Sequence, residues 1–239
     1  MPYVGQKPAD IISTAVDTVT GAFSGEVDVG GTLDVTGETT LATHLNLGDS
    51  DRIKLGAGSD LQLYHDGTDS YITNATNSLK VDSNAGLSLK IDGFGHVTKP
   101  LQPAFLAIPS TAQLNLPLNA TTTIVFGTEI FDQNADFASN TFTAPETGKY
   151  QLNASVYLQS VDASTGFYQL YITTSNRNHL AIFSGNELAA DPAYKNLSLS
   201  ILTDMDAGDT AIVQMQLATG GNAQADVSDQ ARFSGYLVC

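Results

Sequence analysis

Residues 26–99 alternate apolar and polar side chains in short units that are separated by turns rich in glycine and aspartate. The pairs that carry this pattern are Val27/Val29, Leu33/Val35, Leu45/Leu47, Ile53/Leu55, Leu61/Leu63, Leu79/Val81 and Leu87/Leu89. The pairs that begin at residues 45, 53 and 61 repeat at a step of eight residues. Each unit predicts a strand of about three to five residues with one apolar face, followed by a turn.

Strands this short cannot cover their apolar faces alone. An isolated two-stranded hairpin is marginal in water, and stacked repeats need neighbours that bury the apolar side. Several chains that wind together would supply such neighbours. We therefore expect residues 26–100 to form a rod-like β shaft in an oligomer, with a small β domain packed against the C-terminal half as the alternative.

The alternation becomes longer after Pro100 and Pro103. Alternating segments lie at residues 151–159, 168–172, 197–201 and 211–217. Strands with turn residues between them and no helical periodicity are typical of an antiparallel sandwich. Residues 101–239 are numerous enough to bury a core of their own. The sequence thus predicts an all-β chain in which residues 101–239 form a sandwich, here called the head.

Residues 1–25 form a leader with apolar residues at helical spacing. Ile11, Ile12, Val16 and Val19 share one face of a short predicted helix. The β-branched residues of this helix disfavour its formation in isolation. We expect the leader to become ordered against a partner, and a frayed terminus is the alternative.

The net charge is −15, from 25 acidic and 10 basic residues. Phosphate backbones and anionic lipids repel such a surface, so nucleic acids and membranes are not expected partners. The one cysteine, Cys239, excludes an intrachain disulfide and a cysteine zinc site. We expect no signal peptide and no membrane insertion, because the N-terminus lacks a charged and apolar leader and no run is long enough to span a bilayer.

Catalytic motifs are not evident in the chain. The histidines are His44, His65, His96 and His179, and none belongs to a metalloprotease motif. A phosphate-binding loop and a nucleophile elbow are also lacking from the sequence. We therefore expect a protein that is not an enzyme and that needs no cofactor.

Two cation sites are conceivable from side-chain chemistry. Asp204, Asp206 and Asp209 stand close together in the sequence, and carboxylates are the ligands that Ca²⁺ prefers. A polar hairpin turn is the alternative for this stretch. His65 stands beside the shaft repeat and would provide three ligands on a threefold axis, whereas a solvent-facing histidine is the alternative.

Receptor contacts are expected on loops, because the strands are committed to the core. Three loops contain suitable side chains, at residues 174–179, 184–195 and 220–229. The candidate receptor residues are Asn176, Arg177, Asn178, His179, Asn186, Tyr194 and Asn222. Amides donate to and accept from sugar hydroxyls, and aromatic rings stack on sugar faces, so a surface glycan is the expected receptor.

The C-terminal half resembles the jelly-roll family of complement C1q and tumour necrosis factor. The run NTFTAPETGKY at residues 140–150 resembles the family's G-x-F-x-x-P-x-x-G-x-Y signature, with Asn140 in place of the usual glycine. Gly208-Asp209 and the closing run FSGYLV at residues 233–238 resemble further family elements. The resemblance implies a homotrimeric jelly roll in which the signature residues are structural.

The N-terminal part resembles tail-fibre proteins of tailed bacteriophages. The resemblance lies in VGQKPADIISTAVDTVTGAFSG at residues 4–25 and GDSDRIKLGAGSDLQLYHDGTDSYI at residues 48–72. It implies a virion protein, made in the host cytoplasm, whose leader attaches to a phage tail or adaptor protein. The trimeric head would then bind a host receptor. A tailspike-type polysaccharide depolymerase and a non-adhesive structural fibre are the alternatives.

Overall fold

A computed structural model describes residues 26–218 and 225–239 of the chain. Several predictions lie outside the described residues, namely the leader helix with Ile11, Ile12, Val16 and Val19, and the receptor candidate Asn222. Apart from one short 3₁₀ helix, every regular element in the described residues is a β-strand, which confirms the all-β prediction.

Two antiparallel three-stranded sheets follow one another in the shaft region. Their strands are β1 (Arg52–Leu55), β2 (Leu61–His65), β3 (Ser70–Asn74), β4 (Leu79–Ser83), β5 (Gly86–Ile91) and β6 (Val97–Thr98). The register pairs Ile53 with Leu63 and Leu55 with Leu61, so the apolar pairs of β1 and β2 share one face of their sheet. This confirms the short strands predicted for these two pairs.

The segment 26–51 contains no strand. The prediction of strands is therefore wrong in the single chain for the following pairs: Val27/Val29, Leu33/Val35 and Leu45/Leu47. A strand needs a hydrogen-bonded ladder with a neighbour, and none of the described strands forms a ladder with this segment. The segment also contains three glycines, which increase the conformational entropy that the chain loses when it forms a strand: Gly30, Gly31 and Gly37.

The apolar side chains of the shaft region remain open to solvent in one chain. None of residues 26–102 is buried. Ile72 on β3 is 64% exposed and Val81 on β4 is 53% exposed, although both lie on the apolar face of their sheet. A single chain therefore leaves the apolar faces of β1–β6 uncovered.

Two six-stranded sheets stack face to face in the head. Their elements are β7 (Ala104–Ile108), β8 (Thr121–Thr123), β9 (Thr128–Asp132), β10 (Phe137–Ala138), β11 (Thr141–Thr143), β12 (Gly148–Gln159), β13 (Tyr168–Thr174), β14 (Asn178–Phe183), the 3₁₀ helix η1 (Gly185–Glu187), β15 (Tyr194–Met205), β16 (Thr210–Leu217), β17 (Asp226–Val227) and β18 (Arg232–Leu237). One sheet has the order β10-β11-β16-β13-β14, with β8 beside β16, and is called the β13 sheet. The other has the order β15-β12-β18-β7-β9, with β17 beside β12, and is called the β12 sheet.

The core lies between the two sheets and follows the alternation of the sequence. On β12, every second side chain from Tyr150 to Leu158 is buried, and the intervening side chains face outward. The β13 strand alternates in the same way and buries Tyr168, Leu170 and Ile172. This burial confirms the predicted sandwich and provides most of the hydrophobic stabilisation of the head.

Residues of the family signature have structural roles. The ring of Phe142 stacks on that of Phe105 with centroids 4.8 Å apart. A side chain at Gly235 would place its Cβ 2.5 Å from a methyl carbon of Leu152, so close packing between β18 and β12 requires glycine there. Asn140 has φ +66°, a left-handed conformation that asparagine tolerates and that explains how it can replace the usual glycine.

The head has a shaft end and a far end. At the shaft end the chain enters through Pro103, whose carbonyl oxygen accepts a hydrogen bond from Leu237 N. The C-terminus also lies there, since Cys239 O accepts from Lys149 N at the start of β12. The far end comprises the connections β12–β13, β14–β15 and β17–β18, which lie at the opposite ends of the same strands.

Side-chain hydrogen bonds hold the linker between shaft and head. The amide nitrogen of Gln133, just after β9, lies 2.8–3.0 Å from the carbonyl oxygens of Lys99, Pro100 and Gln102, which share its two N–H donors. Asn134 donates to Leu101 O at 2.8 Å. The head thus contacts every residue of the linker 99–102. We call these hydrogen bonds from Gln133 and Asn134 the linker clamp.

Candidate functional site

The candidate receptor residues divide between the two ends of the head. Asn176 and Arg177 lie in the β13–β14 turn at the shaft end, whereas Asn186 and Tyr194 lie at the far end. The sequence places all of them in loops but carries no signal that distinguishes one end of a sandwich from the other. The strand directions therefore separate residues that sequence reasoning had grouped together.

The turn at the shaft end is occupied by internal contacts. Arg177 Nη2 lies 2.7 Å from Asp204 Oδ1 and forms an ion pair with it. The amide of Asn176 donates to Asp209 Oδ2 at 2.8 Å, and the same oxygen accepts from Asp206 N at 2.9 Å. These bonds link the β13–β14 turn to the β15–β16 turn, so both polar side chains stabilise the fold.

Asn178 and His179 lie on β14 and not in a loop, so the loop prediction is wrong for them. The turn is shorter than expected because Thr174 N donates to Arg177 O at 2.9 Å and closes it tightly. The Nε2 atom of His179 is buried without a hydrogen-bond partner among the described residues. Burial, together with the nearby Arg177 charge, lowers the pKa of His179 and favours the neutral ring.

The long strand β15 contains two further residues that were assigned to loops. Tyr194 is its first residue and Asp204 its next-to-last residue. Both belong to one continuous ladder, in which β12 pairs from Gly148 opposite Met205 to Gln159 opposite Tyr194. Because β15 pairs with β12 over the full length of β12, β15 extends beyond the apolar alternation at residues 197–201 that predicted it.

The described residues do not contain a group of three or more histidine, cysteine or acidic side chains that could hold a metal ion. Of the calcium candidates, Asp204 pairs with Arg177, Asp209 accepts two N–H donors, and Asp206 is exposed. The arrangement matches the polar turn that was the alternative interpretation. His65 is exposed, and its Nδ1 lies 3.2 Å from Ser70 Oγ.

The far end presents a pair of stacked tyrosines. The rings of Tyr157 and Tyr194 have centroids 5.4 Å apart and planes inclined by 23°. Tyr194 is 56% exposed, and Asn196 lies directly opposite Tyr157 on the neighbouring strand. Exposed aromatic faces beside an amide are chemically suited to stacking on a sugar ring and hydrogen bonding its hydroxyls.

Hydrogen bonds and close packing order the backbone around Asn186. Gly185 opens the 3₁₀ helix, where any Cβ would lie 2.1 Å from Thr165 O. Asp191 accepts a hydrogen bond from Ala163 N at 2.8 Å and thereby connects two loops. Asn186 is exposed on this ordered backbone. The far end is therefore a preformed surface in its described part.

Sequence reasoning missed Tyr157, because residues 151–159 were interpreted only through their buried face. The signal was the opposite set of the same alternation, in which Asn153, Ser155 and Tyr157 face outward.

The described residues also contain no helix that is long and apolar enough to cross a membrane.

Comparisons with known proteins agree with this architecture. A family model for the C1q domain matches residues 104–238. Among solved structures, the chain is similar to the globular domain of zebrafish complement 1qA protein, with 17% sequence identity, a TM-score of 0.42 and coverage of 57% of this chain and 98% of that one. It is also similar to murine APRIL at pH 8.5, with 13% identity, a TM-score of 0.41 and coverage of 57% and 99%. No curated protein matches the chain.

C1q domains are typically trimeric modules that bind ligands and are not enzymes. The family match covers more than half of the chain, and the strand order, the buried core and the signature residues all lie within it. The chain belongs to the C1q domain family.

Proposed function

We propose that the chain is a homotrimeric tail fibre of a tailed bacteriophage. In this proposal the leader attaches the fibre to a tail or adaptor protein of the virion. The far end of the C1q head binds a carbohydrate receptor on the host-cell surface. The resemblance of residues 4–25 and 48–72 to tail-fibre proteins motivates the phage assignment.

The uncovered apolar strands of the shaft are the observation that carries the proposal. A soluble monomer rarely exposes contiguous apolar surface on this scale without a partner. Three chains that turn the apolar faces of β1–β6 toward a common axis would cover them, and C1q domains typically form homotrimers. A slender trimeric shaft that leads into a head is the architecture of a fibre.

The polarity of the head supports the location of the receptor site. The shaft and both chain ends of the head lie at the shaft end, where Asn176 and Arg177 are held by internal contacts. The far end points away from the shaft and carries Asn186, Tyr157 and Tyr194. Three such ends on one trimer would convert a weak sugar contact into avid binding.

Binding of the full chain to a panel of immobilised bacterial surface polysaccharides tests the proposal. We expect saturable binding to at least one polysaccharide, and Tyr194→Ala should weaken it by about tenfold, because stacking on the exposed ring is lost. The matched control is Tyr236→Ala, which removes an exposed tyrosine near the shaft end. Equal loss in both variants would contradict the assignment to the far end.

The alternatives predict different results in the same assay. Release of reducing sugar from a bound polysaccharide would favour a tailspike-type depolymerase. Binding to no polysaccharide, together with antibody labelling of the chain on virion tails, would favour a non-adhesive structural fibre. The absence of the chain from virions would contradict the phage assignment itself.

A further inference from the structure

The two sheets of the head differ in the charge of their strands. The six strands of the β13 sheet contain no aspartate, glutamate, lysine or arginine. The strands of the β12 sheet contain seven such residues. Charged side chains normally cover much of a soluble surface, and the net charge of this chain is −15. The strands of the β13 sheet therefore present an uncharged outward surface on an acidic protein.

The centre of this surface consists of six uncharged side chains that can form hydrogen bonds, which we call the neutral face: Thr121 and Thr123 on β8, Gln169 and Tyr171 on β13, and Gln214 and Gln216 on β16. Tyr171 lies directly opposite Gln214, and Gln169 lies directly opposite Gln216. The two threonines lie opposite the same two β16 glutamines on the other side of that strand. Side chains that are paired in this way face the same side of a sheet, with Cβ atoms about 4.5–5.5 Å apart. The intervening residues of β13 and β16 are buried, so the neutral face points away from the core.

Hydrogen bonds hold the side chains of the neutral face in place. The Tyr171 hydroxyl donates to Gln169 Oε1 and lies 3.2 Å from Gln216 Oε1. Gln214 Oε1 accepts from Thr173 Oγ1 at 2.9 Å. In the described part of the chain, no hydrogen bond uses the Nε2 atoms of Gln169 and Gln216. Each of these two amides is therefore oriented at its oxygen and free at its nitrogen.

The contacts between the linker and the head come from the β12 sheet. Pro103 O accepts from Leu237 N on β18, and the linker clamp arises from Gln133 and Asn134, which follow β9. Both β18 and β9 belong to the β12 sheet. Chains gathered around a common shaft would thus turn their β12 sheets toward one another. We expect the neutral face to remain on the outside of such an assembly.

The composition of the neutral face favours a hydroxyl-rich ligand over a protein partner. The centres of protein interfaces are also poor in charge, but they are enriched in aromatic residues, methionine and arginine. The neutral face has one aromatic ring among amides and hydroxyls, which donate and accept as sugar hydroxyls do. Leu180, directly opposite Tyr171, is 49% exposed and adds an apolar contact for the C–H groups of a sugar ring.

We propose that the neutral face binds an uncharged polysaccharide that lies along the side of the head. Hydrogen-bonding groups on neighbouring strands of a sheet suit an extended chain of sugars. A polyanion would find no cation on these strands, and a polycation would find no carboxylate. The neutral face is separate from the far end, and its binding does not depend on the phage assignment.

Calorimetric titration of the full chain with four neutral polysaccharides tests the proposal: dextran, laminarin, mannan and galactan. The carboxymethyl derivative of each polysaccharide is the matched ligand control, because it adds negative charges to the same sugar backbone. We expect saturable binding to at least one neutral polysaccharide. Its carboxymethyl derivative should bind at least about tenfold more weakly, because the acidic chain repels it and the neutral face offers no cation.

Two variants test the location of the site, Gln216→Glu and Gln169→Glu. Each retains the shape of the side chain and an oxygen that the Tyr171 hydroxyl can reach, so each should fold as the natural chain does. Each should weaken polysaccharide binding by about tenfold or more, because a free N–H donor is lost and the new carboxylate must be desolvated. Gln230→Glu is the matched control, since it makes the same change at an exposed position between β17 and β18, and it should retain the natural affinity.

Tyr194→Ala separates the neutral face from the far-end site. Loss of binding in both glutamine variants, with natural affinity in Tyr194→Ala, would support the neutral face even where the far-end proposal fails. Loss in Tyr194→Ala alone would overturn the neutral face and leave the far-end proposal standing. Binding to none of the four polysaccharides would also overturn the neutral face. A changed solution mass of the glutamine variants, without any polysaccharide binding, would instead assign this face to a contact between copies of the chain.

Discussion

At the scale of single residues, Asp132 and Asp136 show how position decides the effect of a carboxylate. Asp132 accepts hydrogen bonds from the backbone N–H groups of Asp136 and Phe137 at 3.1 and 2.9 Å, and it thereby stabilises the β9–β10 turn. Asp136 Oδ2 is buried and has no hydrogen-bond partner among the described residues. Burial, with a smaller contribution from the Asp132 charge, raises the pKa of Asp136.

We predict that Asp136→Asn raises the melting temperature at pH 7 by roughly 2–4 °C, since the substitution removes the negative charge of a carboxylate with a buried, unpaired oxygen, a change worth about 1 kcal/mol. The pKa of Asp136 is higher in the folded than in the unfolded chain. The natural chain therefore loses stability as the pH rises through the folded pKa, and the advantage of the variant should shrink at low pH. Thermal unfolding across pH 3–7 measures this. Asp132→Asn is the control and should lower the melting temperature; a stabilising Asp132→Asn would contradict the account.

At the scale of elements, the linker clamp explains how the shaft joins the head. Gln133 and Asn134 donate to four consecutive carbonyl oxygens of the linker 99–102, and Gln102 in turn donates to Leu237 O on the last strand. A segment that contains Pro100, precedes Pro103 and has this many backbone contacts has little freedom to rotate. The clamp therefore fixes the direction of the head relative to the shaft.

We predict that the double variant Gln133→Ala/Asn134→Ala broadens the distribution of angles between shaft and head in electron micrographs of single particles. The melting temperature of the head should change little, because the hydrogen bonds of these two side chains go to the linker. Gln230→Ala is the matched control at the far end and should keep the narrow distribution of the natural chain. An unchanged distribution in the double variant would contradict the clamp.

The sequence allows prediction of those elements whose periodicity is set by burial. The strands β12, β13, β15 and β16 follow the alternation of apolar residues, because the core accepts only every second side chain. Strands at residues 26–51 could not be predicted correctly, because the same alternation forms no strand without a partner. The place of Tyr157 beside Tyr194 depends on which residues lie opposite each other across strands, and sequence spacing does not encode this register.

At the scale of the whole molecule, the head and the shaft region differ in how they are stabilised. The head buries a continuous core between two sheets, as a domain that folds on its own contacts does. The shaft region buries no side chain in one chain and leaves Leu63, Ile72 and Val81 on its apolar faces exposed. We therefore expect stable folding of the shaft to require other chains, and we expect the C1q head to align them.

The solution mass of the full chain, measured by light scattering behind a sizing column, tests the central claim most directly. The account predicts a single species that contains three chains at all concentrations tested, because covering the shaft strands links folding to assembly. A monodisperse single chain with an ordered shaft would contradict it, since nothing in one chain covers the apolar faces of β1–β6.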